Sequence, residues 1–125
     1  GDVVFDRLRG GTIASTEDGF AFLAPRLKPQ SILLAGIEPG VWADFPSCTG
    51  IVPHINSKTL TRVASGLTGS SAVDVTGGMA EKVQLMLSLT AQVEGMTALI
   101  FSGRESGTIT RALLGDKSGT LITRS

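Results

Sequence analysis

Val73-Asp74-Val75-Thr76-Gly77-Gly78-Met79-Ala80-Glu81-Lys82, in a chain of 125 residues, has the pattern of an extended segment that turns through two glycines into a helix. Thr76 can serve as N-cap. Gly77 and Gly78 permit a close ligand approach that a Cβ would block, so the amides of the first helical turn stay open. Those amides and the helix dipole attract phosphate oxygens. Lys82 follows Gly78 by about one helical turn, which sets its ammonium on the face that rises from that glycine. On the local pattern two readings stay open: a polyphosphate seat, or an ordinary strand-to-helix turn with a solvated lysine. The turn is not a Walker A loop, because no G-x-x-x-x-G-K-[ST] string occurs.

Downstream, Val83, Met86, Leu87, Thr90 and Val93 recur at spacings of three and four, so the helix buries one side until Gly95 stops it. Met96 to Phe101 is a buried strand, Ser102 to Gly107 a glycine-bearing loop, Leu113-Leu114 the end of a short helix, and Gly119 to Ile122 a last strand. Upstream, Asn56 or Ser57 can cap a helix with Leu60, Val63 and Ala64 on its apolar face, ending at Gly66. Asp44 to Asn56 has the composition of a surface excursion, with His54 as a loop histidine far from metal-ligand spacing.

Ile32-Leu33-Leu34-Ala35, between Pro29 and Gly36, is a continuous apolar run of the kind buried on both faces of a parallel sheet. In open α/β sheets ligands sit beyond the carboxyl ends of strands, and here that end carries Gly36 to Trp42. Trp42 can stack on a base or pack beneath the loop. Ahead of this strand, Ser15 or Thr16 caps a helix with Glu17 and Asp18 in its first turn. Phe20, Phe22, Leu23 and Leu27 give that helix an apolar side, and Pro25 leaves its end undefined. Val3-Val4-Phe5 and Thr12-Ile13, parted by Arg7 to Gly11, form a hairpin. Strands alternate with helices over connections short enough for right-handed crossovers, which makes an α/β fold with a largely parallel, helix-flanked sheet.

Hydrophobic residues at 42% give the chain enough apolar surface for one packed unit and argue against disorder. Eleven basic residues balance eleven acidic ones, so no basic stripe exists to track a nucleic-acid backbone. The single Cys48 excludes an internal disulfide framework and fits a reducing cytoplasm. No apolar run reaches the roughly 18 residues of a membrane span, and the chain starts abruptly in an apolar segment, as a piece of something longer does.

Gly1-Asp2-Val3-Val4, Ser15-Thr16-Glu17-Asp18, Val73 to Lys82, and Arg111-Ala112-Leu113-Leu114-Gly115 with Gly119-Thr120 together resemble the amino acid kinase superfamily, most nearly its isopentenyl phosphate kinase subgroup. The resemblance covers the whole chain. It implies a three-layer αβα sandwich in which residues 1–125 are the nucleotide-binding carboxyl-terminal part. The amino half, with its lysine-bearing glycine turn and substrate-binding histidine, lies outside this chain and is expected upstream or on a second chain. By the same resemblance Gly1 lies beside the substrate phosphate with Asp2 in the same loop. Asp18 is the carboxylate that orients active-site lysines, and Lys82 contacts ATP after Thr76, Gly77 and Gly78. Gly36 to Gly40 match the nucleotide loop, although Ile37 and Pro39 stand where acidic residues are usual.

The implied activity is ATP- and Mg²⁺-dependent phosphoryl transfer to a small phosphorylated substrate, foremost isopentenyl phosphate, by a cytoplasmic homodimer. The alternatives are a kinase of another small phosphate or phosphonate, and a non-catalytic nucleotide-binding half. No resident metal site, nucleic acid or membrane partner is expected. An acceptor that is itself a phosphate is already nucleophilic, which agrees with the lack of a Ser-His-Asp constellation.

Overall fold

The computed structural model describes residues 2–43, 49–60 and 78–124. The expected N-cap Thr76 and turn glycine Gly77, the substrate-side Gly1, and the expected helix beyond Leu60 lie outside these residues.

The expected hairpin is present. Strand β1 (Asp2–Asp6) pairs antiparallel with β2 (Gly10–Ala14), placing Val3 opposite Ile13 and Phe5 opposite Gly11. Asp6 Oδ1 closes the turn by accepting from the amides of Leu8 at 2.7 Å and Arg9 at 2.9 Å. Alternation puts Val3, Phe5 and Ile13 on one face, and that face is open: Phe5 is 98% exposed.

Helix α1 (Thr16–Leu27) is capped by Ser15, whose hydroxyl accepts from the Asp18 amide while the Asp18 carboxylate accepts from the Ser15 amide. Pro25 does not end it; the helix runs two residues further and stops where Lys28 turns left-handed, φ 47°. Its packed stripe differs from the expected one. Ala24 is buried and Phe20 packs beside it, one turn apart, whereas Phe22, Leu23 and Leu27 are exposed. The helix has two apolar stripes, and the one with the small Ala24 can approach its neighbour closely. On the open side the Arg26 guanidinium lies 3.7 Å from the Phe22 ring centroid.

Strand β3 (Ser31–Gly36) runs parallel to β7 (Thr97–Ser102), Ser31 opposite Thr97 through Gly36 opposite Ser102. Between them in sequence lie β4 (Val41–Trp42), β5 (Ile51–Val52), β6 (His54–Ile55) and helix α2 (Gly78–Gln92). The expected surface excursion thus contains two short strands, and His54 sits on β6 with Nε2 2.6 Å from Thr123 Oγ1. Asn56 is the helix cap at this point, accepting from the Thr59 amide at 2.7 Å. Helix α2 buries Val83, Met86, Leu89 and Thr90, with Val93 buried just past its end, close to the expected spacing, and Gly95 at φ 77° turns the chain back into β7.

After β7 the short helix α3 (Thr108–Leu113) leads to β8 (Thr120–Ile122), giving the sheet order β3-β7-β8-β6. Two pairings are parallel, β3 with β7 and β6 with β8; β7 with β8 is antiparallel. Alternation sorts the sheet's side chains onto two faces, with helices on each. Ile32, Ala98, Ile100 and Ile122 pack under α1 and α2, while Leu99 and Phe101 pack under Ala112 of α3 on the other face.

Buried Thr120 ties the small strands to this sheet. Its hydroxyl donates to the Val52 carbonyl at 2.6 Å and accepts from the Val41 amide at 2.8 Å, so the polar group is satisfied. A Cβ on Gly40 would come within 2.7 Å of that hydroxyl.

Candidate active site

The carboxyl ends of β3 and β7 open into a cavity of about 660 Å³ beside the first turns of α1 and α2. Its floor is the apolar run that made β3 recognisable, Leu33 and Leu34, joined by Ile100 of β7 and Met79 of α2. Its charged groups are Glu17, Glu38 and Lys82. A volume in the range of roughly 300 to 1,000 Å³ with an apolar lining and a few polar groups is the usual form of a small-molecule site.

The packing of α1 against α2 brings Lys82 Nζ to 3.9 Å from Glu17 Oε1, with the two side chains 42% and 30% exposed. At that distance and exposure the pair contributes less than about 1 kcal/mol to stability. It aims the ammonium without locking it. The carboxylate facing Lys82 is therefore that of Glu17, which the sequence offered only as a first-turn charge. Its partner lies on another helix, and no local pattern marks the contact.

Asp18, one residue on, is exposed and engaged in the cap. The Ser15 amide, and after it the Ser15 hydroxyl, hold its carboxyl below the ordinary value of 3.8. A carboxyl so held stays ionised near neutrality and makes a poor proton acceptor. A group with a depressed folded pKa stabilises the fold above its unfolded pKa and loses that contribution as pH falls through the folded value. Asp116, lowered by the Ser118 hydroxyl and amide, acts in the same direction. Stability is therefore expected to fall below about pH 4. Asp18→Asn should make that acid limb shallower in thermal melts taken across pH 2 to 7; an unchanged limb would sink the assignment.

The other expected site residues divide. Gly36 lines the cavity, has nothing within 4 Å of where a Cβ would stand, and accepts from the Gly103 amide at 2.9 Å. Gly40 is buried and is not in the lining; its missing Cβ makes room for Thr120. Gly78 opens α2, one residue before the cavity-lining Met79. Asp2 is exposed on β1 and pairs across the ladder with Ala14, which leads through Ser15 into the cavity-lining Thr16. Trp42 stands half-buried on β4, and its indole N–H donates to Glu38 Oε2 at 2.8 Å. Glu38 lies in the loop after the buried strand that the carboxyl-end rule had marked, yet its tie to the indole four residues on is a tertiary result.

A smaller cavity of about 320 Å³ lies against α3, and its polar groups engage one another. Ser118 donates to Asp116 at 2.8 Å, and Arg111 Nε lies 3.9 Å from the same carboxylate. Among the described residues no group of three or more His, Cys, Asp or Glu side chains is placed to hold a metal ion. No helix among them is long and apolar enough to cross a membrane.

No protein-family model matches the chain. Over 122 residues it is 32% identical to an isopentenyl phosphate kinase of Methanocaldococcus jannaschii, covering 98% of this chain and 44% of that protein. To the Haloferax volcanii isopentenyl phosphate kinase it is 34% identical over 116 residues, covering 89% of this chain and 44% of the relative. The chain thus spans less than half the length of the curated relatives it matches. An X-ray structure of isopentenyl phosphate kinase superposes with a TM-score of 0.66 at 28% identity, covering 98% of this chain and 44% of that one. The carbamate kinase of Giardia lamblia shares the fold, with a TM-score of 0.60 at 18% identity over 91% of this chain and 32% of its own. With its helix-flanked, mostly parallel sheet the chain shares the fold of these kinases, and over nearly its whole length it is similar to isopentenyl phosphate kinases of the amino acid kinase superfamily.

Proposed function

We propose that the chain is the nucleotide-binding, carboxyl-terminal part of an ATP-dependent phosphotransferase whose acceptor is a small phosphorylated molecule, foremost isopentenyl phosphate. The observation that carries the proposal is Lys82, one turn into α2, facing Glu17 across a cavity at the carboxyl ends of β3 and β7. It stands in a chain similar over 98% of its length to named isopentenyl phosphate kinases. The cavity's residues suit a nucleotide: an apolar floor for a base, and a half-exposed ammonium for phosphates.

In-line phosphoryl transfer asks a protein mainly to position two anions and neutralise the charge spreading over the transferred group. Lys82 supplies the positive charge and Glu17 restrains its direction. Asp18 acts through the helix cap that sets Glu17 in place, and Gly36 leaves room at the strand end. Thr76, Gly77 and Gly78 complete the phosphate turn, while Gly1 and Asp2 belong to the acceptor side. Mg²⁺ enters with ATP as part of the co-substrate; an ion of this kind needs as few as one protein carboxylate, and Glu17, beside Lys82, can supply it.

The acceptor pocket belongs to further polypeptide, supplied by the same protein or by a second chain, in a cytoplasmic homodimer. The open face of Val3, Phe5 and Ile13 and, among the described residues, the edge position of β3 support such a partner. The 44% span also favours a second reading, a nucleotide-binding half without activity of its own.

The test is transfer from radiolabelled ATP to isopentenyl phosphate by the full-length protein, with the 125-residue chain alone in parallel. The expected outcome is turnover by the former and none by the latter. ATP binding without transfer by the full-length protein would favour the inactive half, and transfer only to another phosphate or phosphonate would change the acceptor.

A further inference from the structure

We propose that Thr120 is a positioning residue for the nucleotide: its hydroxyl, spliced into the two-stranded β4–β5 ribbon, holds the loop after β3 in the shape that receives the ligand. This rests on the nucleotide reading of the cavity. Gly36, Ile37 and Glu38 of that loop line the cavity, while Thr120 is wholly buried and lies outside the lining. Its effect on a ligand is therefore carried through the loop.

The loop is fixed at both ends by atoms from distant sequence. At its start the Gly36 carbonyl accepts from the Gly103 amide at 2.9 Å. At its end the Thr120 hydroxyl accepts from the Val41 amide at 2.8 Å and donates at 2.6 Å to the carbonyl of Val52, the residue that faces Val41 across the β4–β5 ladder. A hydroxyl donates and accepts at once, so it can bridge a facing amide and carbonyl, which a valine of the same shape cannot. The anchor itself has little room to move. Thr120 faces Ile100 across the β7–β8 ladder, and the Gly40 backbone lies so close that a Cβ there would come within 2.7 Å of the Thr120 hydroxyl. Trp42, next along the ribbon, donates from its indole to Glu38 Oε2 at 2.8 Å, so the placement of the ribbon passes to the middle of the loop. A loop held in this way meets its ligand already ordered. Once released it must be ordered by the ligand, and that cost falls on binding. The anchor acts alike on the bound ground state and on the transferring state, so its loss moves KM and not kcat.

The experiment measures ATP binding to the full-length protein by calorimetry, together with steady-state transfer to isopentenyl phosphate. Thr120→Val is expected to raise the Kd and KM for ATP about tenfold, the cost of ordering roughly one backbone residue, with kcat and the KM for isopentenyl phosphate within about twofold of the parent. Thr120→Ser keeps the hydroxyl and should bind ATP as the parent does. A side chain that only held the fold together would lower the amount of active enzyme, and so the apparent kcat, and leave KM where it was. If far-UV circular dichroism shows that Thr120→Val does not fold, Gly40→Ala takes its place: the added Cβ presses on the same hydroxyl from the loop side, and the same selective loss for ATP is expected. An unchanged ATP affinity in the folded variant would overturn the proposal. So would a Thr120→Ser protein as weak as Thr120→Val. Calorimetry needs no acceptor, so the binding result decides even if nothing is transferred to isopentenyl phosphate. A parent that does not bind ATP would overturn the nucleotide reading itself, an outcome distinct from both.

Discussion

Lys82→Met is expected to lower ATP-dependent phosphoryl transfer by the full-length protein by two to three orders of magnitude, roughly 3 to 4 kcal/mol of lost transition-state stabilisation. The side chain is 42% exposed in a 3.9 Å pair with Glu17, so its removal takes little from the fold. The unfolding free energy should move by less than about 1 kcal/mol. A methionine keeps the length and apolar stem of lysine, and the loss would therefore report the ammonium. Glu17→Gln should give a smaller loss in the same direction, since it removes the restraint on the ammonium and not the charge itself. The measurement is steady-state transfer together with urea unfolding of the same preparations. Turnover of Lys82→Met within twofold of the parent would remove Lys82 from the site, and a large drop in stability would show that the pair is structural.

The largest expected effect on stability comes from Gly119→Ala. Gly119 has φ of +128°, a conformation that L side chains rarely adopt. A Cβ built there lies 2.2 Å from the Ile100 carbonyl oxygen and 3.0 Å from Phe101 Cβ. Neither neighbour can yield cheaply, because both belong to β7, which is paired on one side with β3 and on the other with β8. Backbone strain and overpacking each cost about 1 to 3 kcal/mol. A combined loss of roughly 3 kcal/mol or more is a large share of the roughly 5 to 15 kcal/mol that holds a domain together. Gly11→Ala is the control. Gly11 has nothing within 4 Å of a built Cβ and lies in the exposed hairpin, so its substitution should change stability by no more than about 0.5 kcal/mol. Equal urea midpoints for the two variants would show that the turn at Gly119 relaxes freely.

Some of this was legible before any coordinates. The hairpin follows from alternation and turn residues, β3 from an uninterrupted apolar run, and α2 from a three-and-four spacing that ends at a glycine. Each is a signal carried within a dozen neighbouring residues, where the period of the backbone is printed directly in the side chains. The rule that ligands gather at carboxyl ends of strands points to the loop after β3, and the helical spacing puts Lys82 one turn into α2; the structure places both at the cavity lining.

What those signals do not carry is the choice between two chemically similar partners that lie far apart in sequence. Periodicity marked an apolar side on α1, but the stripe that packs, Phe20 and Ala24, was decided by how closely α2 and the sheet could approach. The same packing selected Glu17 over Asp18 to face Lys82, while Asp18 was claimed by the local cap. Gly40 suited a phosphate loop on its residue type alone, yet its backbone is pressed against Thr120 from the far end of the chain. An indole at position 42 suits stacking on a base as well as packing under a loop, and it is the fold that brings Glu38 within reach of it. Local sequence determined the main elements and the strand end beside which the cavity opens; only the long-range packing of α1, α2 and β8 decided which side chains meet there, because the energy that makes the choice comes from contacts between segments that no short window contains.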